Sequence, residues 1–164
     1  MPILVRDARP DDHAAIVGFN AALALETEHK TLDLDVLSRG VTRALADPQR
    51  LRYWVAEDAG SDRVVGMSGV TREWSDWRDG DIWWLQSVFV DQEYRGRGVF
   101  RSLLETIRAA ARSTPGVIGL RLYVEAANHR AQATYRALGL VPEGYEVYGD
   151  LWIGEEVPLD DRTG

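Results

Sequence analysis

The sequence predicts a mixed α+β fold built on one sheet, mostly antiparallel but with a parallel pair in its second half. Three observations carry this. The elements read along the chain in the order β-α-α-β-β-β-α-β-α-β-β, and the β-α-β unit near the end returns the chain parallel to itself. The 164 residues contain no low-complexity tract, repeat or linker, so 1–164 reads as one domain. The chain has no cysteine, so its core must rest on apolar packing, for which this length suffices.

Each element has its own signal. Residues 2–6 read as a short strand. Pro10-Asp11-Asp12 opens a helix, because proline presets φ and acids suit the positive helix start. Ile16, Phe19 and Leu23 continue it at helical spacing. A second helix is predicted from Asp33 to Leu45, with Val36, Leu37, Val41, Ala44 and Leu45 on one face, stopped by Asp47-Pro48. Residues 51–57 and 63–71 form a hairpin around Ala59-Gly60-Ser61-Asp62. Residues 74–80 read as a loop. Residues 82–90 hold seven apolar residues in nine, which suits a buried central strand. Gly96-Arg97-Gly98 makes a tight turn. A helix then runs to about Arg112 on Val99, Leu103, Leu104, Ile107, Ala110 and Ala111. Residues 117–124 form a strand. Asn128 caps a short helix, 129–138, closed by Gly139. Residues 145–157 read as one or two final strands.

Composition narrows the function. Without cysteine there is no thiolate nucleophile, and His13, His29 and His129 lack ligand spacing, so no metal site is expected. A net charge of −7 argues against nucleic acid as partner. No apolar stretch approaches a membrane span and the N-terminus carries no leader pattern, so the expectation is a cytoplasmic protein without membrane attachment.

One segment stands out. A buried strand, 82–90, runs through Asp91-Gln92-Glu93-Tyr94 into Arg95-Gly96-Arg97-Gly98 and then a helix. The first amides of a helix lack internal partners and form a positive site for phosphate oxygens. Glycine lets a ligand approach the backbone closely. Residues 92–112 carry five arginines and two glutamates, a basic island in an acidic chain. The spacing fits neither a dinucleotide fingerprint nor a P-loop.

A second motif lies about thirty residues downstream: Asn128, Ala131, Tyr135, Gly139 and Leu140, after the strand containing Leu120-Arg121-Leu122-Tyr123-Val124. Together with Arg95, Gly98 and Phe100, these residues resemble the GNAT N-acetyltransferase superfamily. That family carries Gln/Arg-x-x-Gly-x-Gly/Ala after its fourth strand and Asn-x-x-Ala-x-x-x-Tyr-x-x-x-Gly-Phe after its fifth. Phe100 departs from the pattern, where a small residue is usual; Leu140 for Phe is a mild change. The resemblance covers 82–141 in detail and implies a twisted sheet of six to seven strands, flanked by about four helices, with parallel strands 4 and 5 splayed apart.

The resemblance also implies the chemistry. Acetyl-CoA is the expected co-substrate, its pantetheine arm lying as a pseudo-strand in the V between 82–90 and 118–125. Val88, Phe89 and Val90 would line that arm. The segment Arg95, Gly96, Arg97, Gly98, Val99 and Phe100 would hold the diphosphate, and Asn128 would contact the arm or serve as a plain helix cap. Tyr135 is the candidate acid that protonates the leaving thiolate, or else an aromatic packed on its helix. The candidate bases are Glu73, Glu26 and Asp81, with a water relay and backbone dipoles as alternatives. Trp74, Trp77 and Trp84, with Glu26 and Glu73, would line the site for an amine acceptor, small molecule or peptide, by charge and cation–π attraction. Trp83 and Trp84 should point to opposite faces of their strand. A homodimer is common in the family. The alternative is a non-catalytic CoA-binding sensor or scaffold.

Overall fold

The chain alternates strands and helices in the computed structural model, which describes residues 2–152. In order they are β1 (Ile3–Asp7), α1 (His13–Glu28), α2 (Leu34–Ala46), β2 (Arg52–Asp58), β3 (Arg63–Ser75), β4 (Gly80–Val90), α3 (Val99–Ser113), β5 (Val117–Arg121) and α4 (His129–Ala137). The described strands form one sheet in the order β1-β2-β3-β4-β5. The first three pairings are antiparallel and β4–β5 is parallel. The second-half crossover has therefore produced the parallel pair that the element order requires.

Local chemistry explains the helix starts. Pro10–Asp12 forms a single 3-10 turn that leads into α1. The Asp12 carboxylate accepts from the Arg9 amide at 2.6 Å and from Arg6 at 2.8 and 3.0 Å, which pins the helix start to β1. Burial alone would raise the Asp12 pKa, but these hydrogen bonds outweigh it and hold the carboxyl below its ordinary value. Asp33 caps α2 by accepting from the Asp35 and Val36 amides.

Helices cover both faces of the sheet. On one face α3 buries Val99, Leu103, Leu104, Ile107 and Ala111 against Trp54, Val65, Val70, Trp83 and Leu85. Trp54 and Trp83 meet there with ring centres 5.8 Å apart. On the other face α1 and α2 bury Ile16, Val41 and Ala44 against Tyr53, Val55, Met67 and Phe89.

A bulge in β4 connects the two cores. Met67 pairs with Phe89 but Gly69 pairs with Gln86, so two residues of β4, Ser87 and Val88, face Ser68 alone. Ser87 has φ of 52°, a left-handed conformation uncommon for a residue with a side chain. Residues four apart in a regular strand share a face. Here Leu85 lies in the α3-side core, whereas Phe89 lies in the opposite one and stacks on Phe19 at 5.1 Å.

Three boundaries differ from the sequence reading. The described sheet has five strands rather than six or seven. Residues 145–152 form no strand, and 153–157 lie outside the described residues. The fifth strand stops at Arg121 because β4 has no residue paired beyond Trp84↔Arg121, and a strand needs a neighbour to bond to. The expected loop 74–80 is mostly hairpin: Trp74 pairs with Asp81 and Ser75 with Gly80, leaving residues 76–79 as the turn. Cross-strand pairing overrode the polar composition that suggested a loop.

Candidate functional site

The site forms where β4 and β5 part. Their parallel pairing ends at Trp84↔Arg121, while β4 continues to Val90. From Leu85 to Val90 that edge of β4 therefore has no β5 partner. A cleft with an open backbone edge results, of the V shape expected between 82–90 and 118–125. Val88 and Val90 lie along it, whereas Phe89 is 7% exposed and faces the α1 side. The Val90 carbonyl is already engaged, accepting from Arg95 Nε at 2.8 Å.

The loop after β4 is held from below and open above. The Asp91 amide donates to the Val65 carbonyl at 2.9 Å, Tyr94 Oη donates to Asp58 at 3.0 Å, and Arg63 pairs with Asp91 at 2.6 Å. Gly96 and Gly98 have φ of 73° and 81°, and a Cβ built on either would meet no atom within 4 Å. Ser102 is the first residue of α3 whose amide finds a carbonyl, that of Gly98. Among the described residues, the amides of Gly96, Gly98, Val99, Phe100 and Arg101 have no protein acceptor. This is a rigid nest of N–H groups at the positive end of a helix, a geometry suited to phosphate.

Arg95 takes a different part from the expected one. Its amide donates to the Gln92 carbonyl at 3.3 Å, so the open set of amides starts at Gly96. Its guanidinium lies over Phe89 at 5.4 Å and pairs with Glu26 at 2.7 Å. Gln92 Nε2 donates to the same Glu26 carboxylate at 3.2 Å. Arg95 thus clamps the end of α1 to the end of β4. Arg97 lies 5.5 Å over the Tyr94 ring.

The second motif stands beside this loop. Asn128 Oδ1 accepts from the Ala131 amide at 3.1 Å, so the capping role is realised. Tyr135 on α4 meets Phe100 on α3 edge to face, with centroids 5.4 Å apart and planes at 64°. Burial raises the Tyr135 pKa above the ordinary phenol value, so the hydroxyl keeps its proton at neutral pH.

At the base of the V, Glu73 on β3 accepts from Trp84 Nε1 at 2.7 Å and from Arg121 at 2.9 Å. Arg121 also pairs with Glu143 and lies 5.7 Å from the Tyr145 ring. Trp84 packs on Tyr123 at 5.9 Å. The Trp84 indole, and then Arg121, hold the Glu73 carboxyl below its ordinary pKa. Trp83, as alternation requires, faces the other way and is 1% exposed. Trp74 is opposite Asp81, three residues or about 10 Å along the strand from Trp84, and Trp77 stands 85% exposed at the hairpin tip. The register thus joins Glu73 and Trp84 and leaves Trp74 and Trp77 further out. A cavity of about 410 Å³ lies elsewhere, between β5 and the end of α3 near Arg108 and Arg112. The V and its loop form an open groove, and geometry rather than cavity size identifies them.

The model of the acetyltransferase (GNAT) family matches residues 17–140, which run from within α1 through the V and the loop to beyond α4. The chain belongs to the GNAT acetyltransferase family. A possible acetyltransferase from Clostridium difficile 630 is 42% identical, with 93% of this chain and 99% of that one covered at a TM-score of 0.84. The Arabidopsis thaliana glucosamine-6-phosphate N-acetyltransferase is 15% identical, covering 92% and 99% at a TM-score of 0.70. AAC(6')-Iy, solved with the bisubstrate analogue CoA-S-monomethyl-acetylneamine, is 15% identical with the same coverage and a TM-score of 0.71. The last two share the fold. No curated protein matches.

Within this acetyltransferase, sequence reading missed Arg121, Glu143 and Ser87. Arg121 had a signal, a charge inside the apolar run Leu120-Arg121-Leu122. Glu143 had none, because among the described residues it joins the site through Arg121, distant in sequence. The bulge at Ser87 had none, because the apolar run 82–90 has no regular alternation for a bulge to break. Among the described residues no group of three or more His, Asp or Glu could hold a metal ion, and no helix is long and apolar enough to cross a membrane.

Proposed function

We propose that this acetyltransferase moves an acetyl group from acetyl-CoA to a primary amine, of a small molecule or a peptide, by direct attack in a ternary complex. The observation that carries this reading is the open cleft beyond Trp84↔Arg121 leading into a loop whose amides have no protein acceptor. A pantetheine arm has amides of its own and can pair with the free edge of β4, while a diphosphate can accept from Gly96, Gly98, Val99, Phe100 and Arg101. The residues fit acetyl-CoA as substrate: the loop is basic, open above its glycines and fixed beneath.

In the transfer step the neutral amine attacks the thioester carbonyl carbon. The C–N bond forms, the C–S bond breaks, and sulfur leaves with the electron pair. The Tyr135 phenol donates its proton to that sulfur, its raised pKa keeping the proton available, and the nitrogen, which carries one proton too many after the attack, gives it up through solvent to the phenolate. The bulge at Ser87 turns the β4 backbone at the mid-point of the cleft, where an amide could orient the acyl oxygen. Glu26 is tied to Arg95 and Gln92, and Glu73 to Trp84 and Arg121. The Trp84 indole and Arg121 favour the charged form of Glu73, which suits it to charge recognition of the acceptor. The ammonium proton leaves to solvent before the attack.

The test is thiol release from acetyl-CoA over a panel of polyamines, aminoglycosides, amino acids and peptides, with Tyr135→Phe beside the parent. The variant should lose about 100-fold in turnover at unchanged acetyl-CoA affinity. The parent rate should fall as pH rises through the raised phenol pKa, because the acid form is lost there, and the variant should lack that fall. The engagement of both carboxylates favours one second reading, a CoA-binding sensor without catalysis. Tight CoA binding with no turnover on any amine would select it.

A further inference from the structure

We propose that the ring of Phe100 holds the Tyr135 phenol in its working orientation, and so ties the acid of the transfer step to the helix start that bears the diphosphate. The inference rests on the reading of Tyr135 given above. Phe100 stands where the motif otherwise places a small residue, so a ring of this size at the second position of α3 is a feature of this chain. Its ring is partly buried against the α3-side core and meets Tyr135 at 5.4 Å and 64°. Aromatic rings favour this edge-to-face arrangement.

The anchorage of α4 makes the contact decisive. No residue of α4 is fully buried, and Tyr135 itself is half-buried. At its end, Arg108 donates to the Leu138 carbonyl at 3.0 Å, and Leu138 packs on the α3-side core. At its start, Asn128 caps its own first turn. Neither contact touches the Tyr135 side chain. Among the described residues the Tyr135 hydroxyl meets no hydrogen-bond partner, so no hydrogen bond sets the ring's torsions. Packing sets them, and Phe100 supplies the ring contact. The Phe100 backbone amide belongs to the open set facing the diphosphate position, while its ring faces the acid. One residue thus links substrate seating to proton donation, and its side chain acts through Tyr135 as a positioning residue.

Fluorine NMR of protein carrying 3-fluorotyrosine, with coenzyme A as the bound probe, reads the orientation directly. Tyr135→Phe assigns the signal. In the parent a resolved Tyr135 resonance should lie apart from those of exposed tyrosines. Phe100→Ala should move it to the position of exposed tyrosines, while Phe100→Tyr, which keeps the ring, should restore it. Coenzyme A affinity by calorimetry should change by less than about threefold in Phe100→Ala, because backbone amides rather than the ring hold the diphosphate. Turnover is read as thiol release from acetyl-CoA to n-butylamine or, failing turnover there, to water. Phe100→Ala should lower kcat about tenfold in the parent and less than about twofold in the Tyr135→Phe background, since residues acting as a unit are not additive. An unmoved Tyr135 resonance, or equal losses in both backgrounds, overturns the inference and leaves the acid role of Tyr135 standing. A Tyr135→Phe variant with full turnover overturns the acid role and the inference with it. If Phe100→Ala fails to fold, Phe100→Leu takes its place in the same comparisons.

Discussion

At the scale of single residues, Glu73 shows how neighbours assign a carboxylate its task. The Trp84 indole and Arg121 both favour its charged form, which makes it a weak proton acceptor and a steady negative charge. Glu73→Gln should therefore raise the acceptor KM more than it lowers kcat, measured on the best amine of the panel. A loss confined to kcat would return Glu73 to the role of base. Gly98 carries the complementary prediction. Its φ of 81° suits glycine, and the space above it is open. Gly98→Asp should weaken coenzyme A binding at least about tenfold, because it adds strain, bulk and negative charge where the diphosphate would sit. Unchanged affinity by calorimetry would remove this loop from the account. Both glycines of the turn were legible because their signal is local. The ion pair of Arg95 with Glu26 was not, because it joins residues 69 apart in sequence.

Among the elements, β4 does the most. Its first half pairs with β5, its second half forms one wall of the cleft, and its bulge lets one strand serve two cores. Without the extra residue, Phe89 would turn toward α3 and leave its stacking partner Phe19. Ser87 accepts a left-handed φ of 52°, which a β-branched side chain resists. Ser87→Val should lower stability by about 1–2 kcal/mol, and Ser87→Gly should leave it level or raise it. Thermal melts of the two variants decide: equal melting temperatures would mean that the bulge imposes no such constraint. Helix α3 was legible in full from its apolar stripe, since period and burial agree at Val99, Leu103, Leu104, Ile107 and Ala111. The bulge was not, because an apolar run such as residues 82–90 carries no alternation from which a shift could be read.

Across the whole molecule, one segment is unusually exposed. Val141, Tyr145, Val147, Tyr148, Leu151 and Trp152 are each 67–89% exposed. So many large apolar side chains within twelve residues exceed the scattered exposure of ordinary monomers. The expected outcome is a homodimer by light scattering at micromolar concentration, and a monomer at every concentration would count against it. The sequence alone determined the order of elements through α4, the parallel crossover, the open Gly96–Gly98 turn and the Asn128 cap. Those depend on periodicity, backbone freedom and side-chain reach within a few residues, and such causes act wherever the segment is placed. Tertiary structure alone decided that β5 stops at Arg121, that Glu73 is shared by Trp84 and Arg121, and that Phe100 meets Tyr135. These depend on the register between strands and on how α4 docks, and a one-residue shift in register would change every cross-strand partner while leaving the local signals intact.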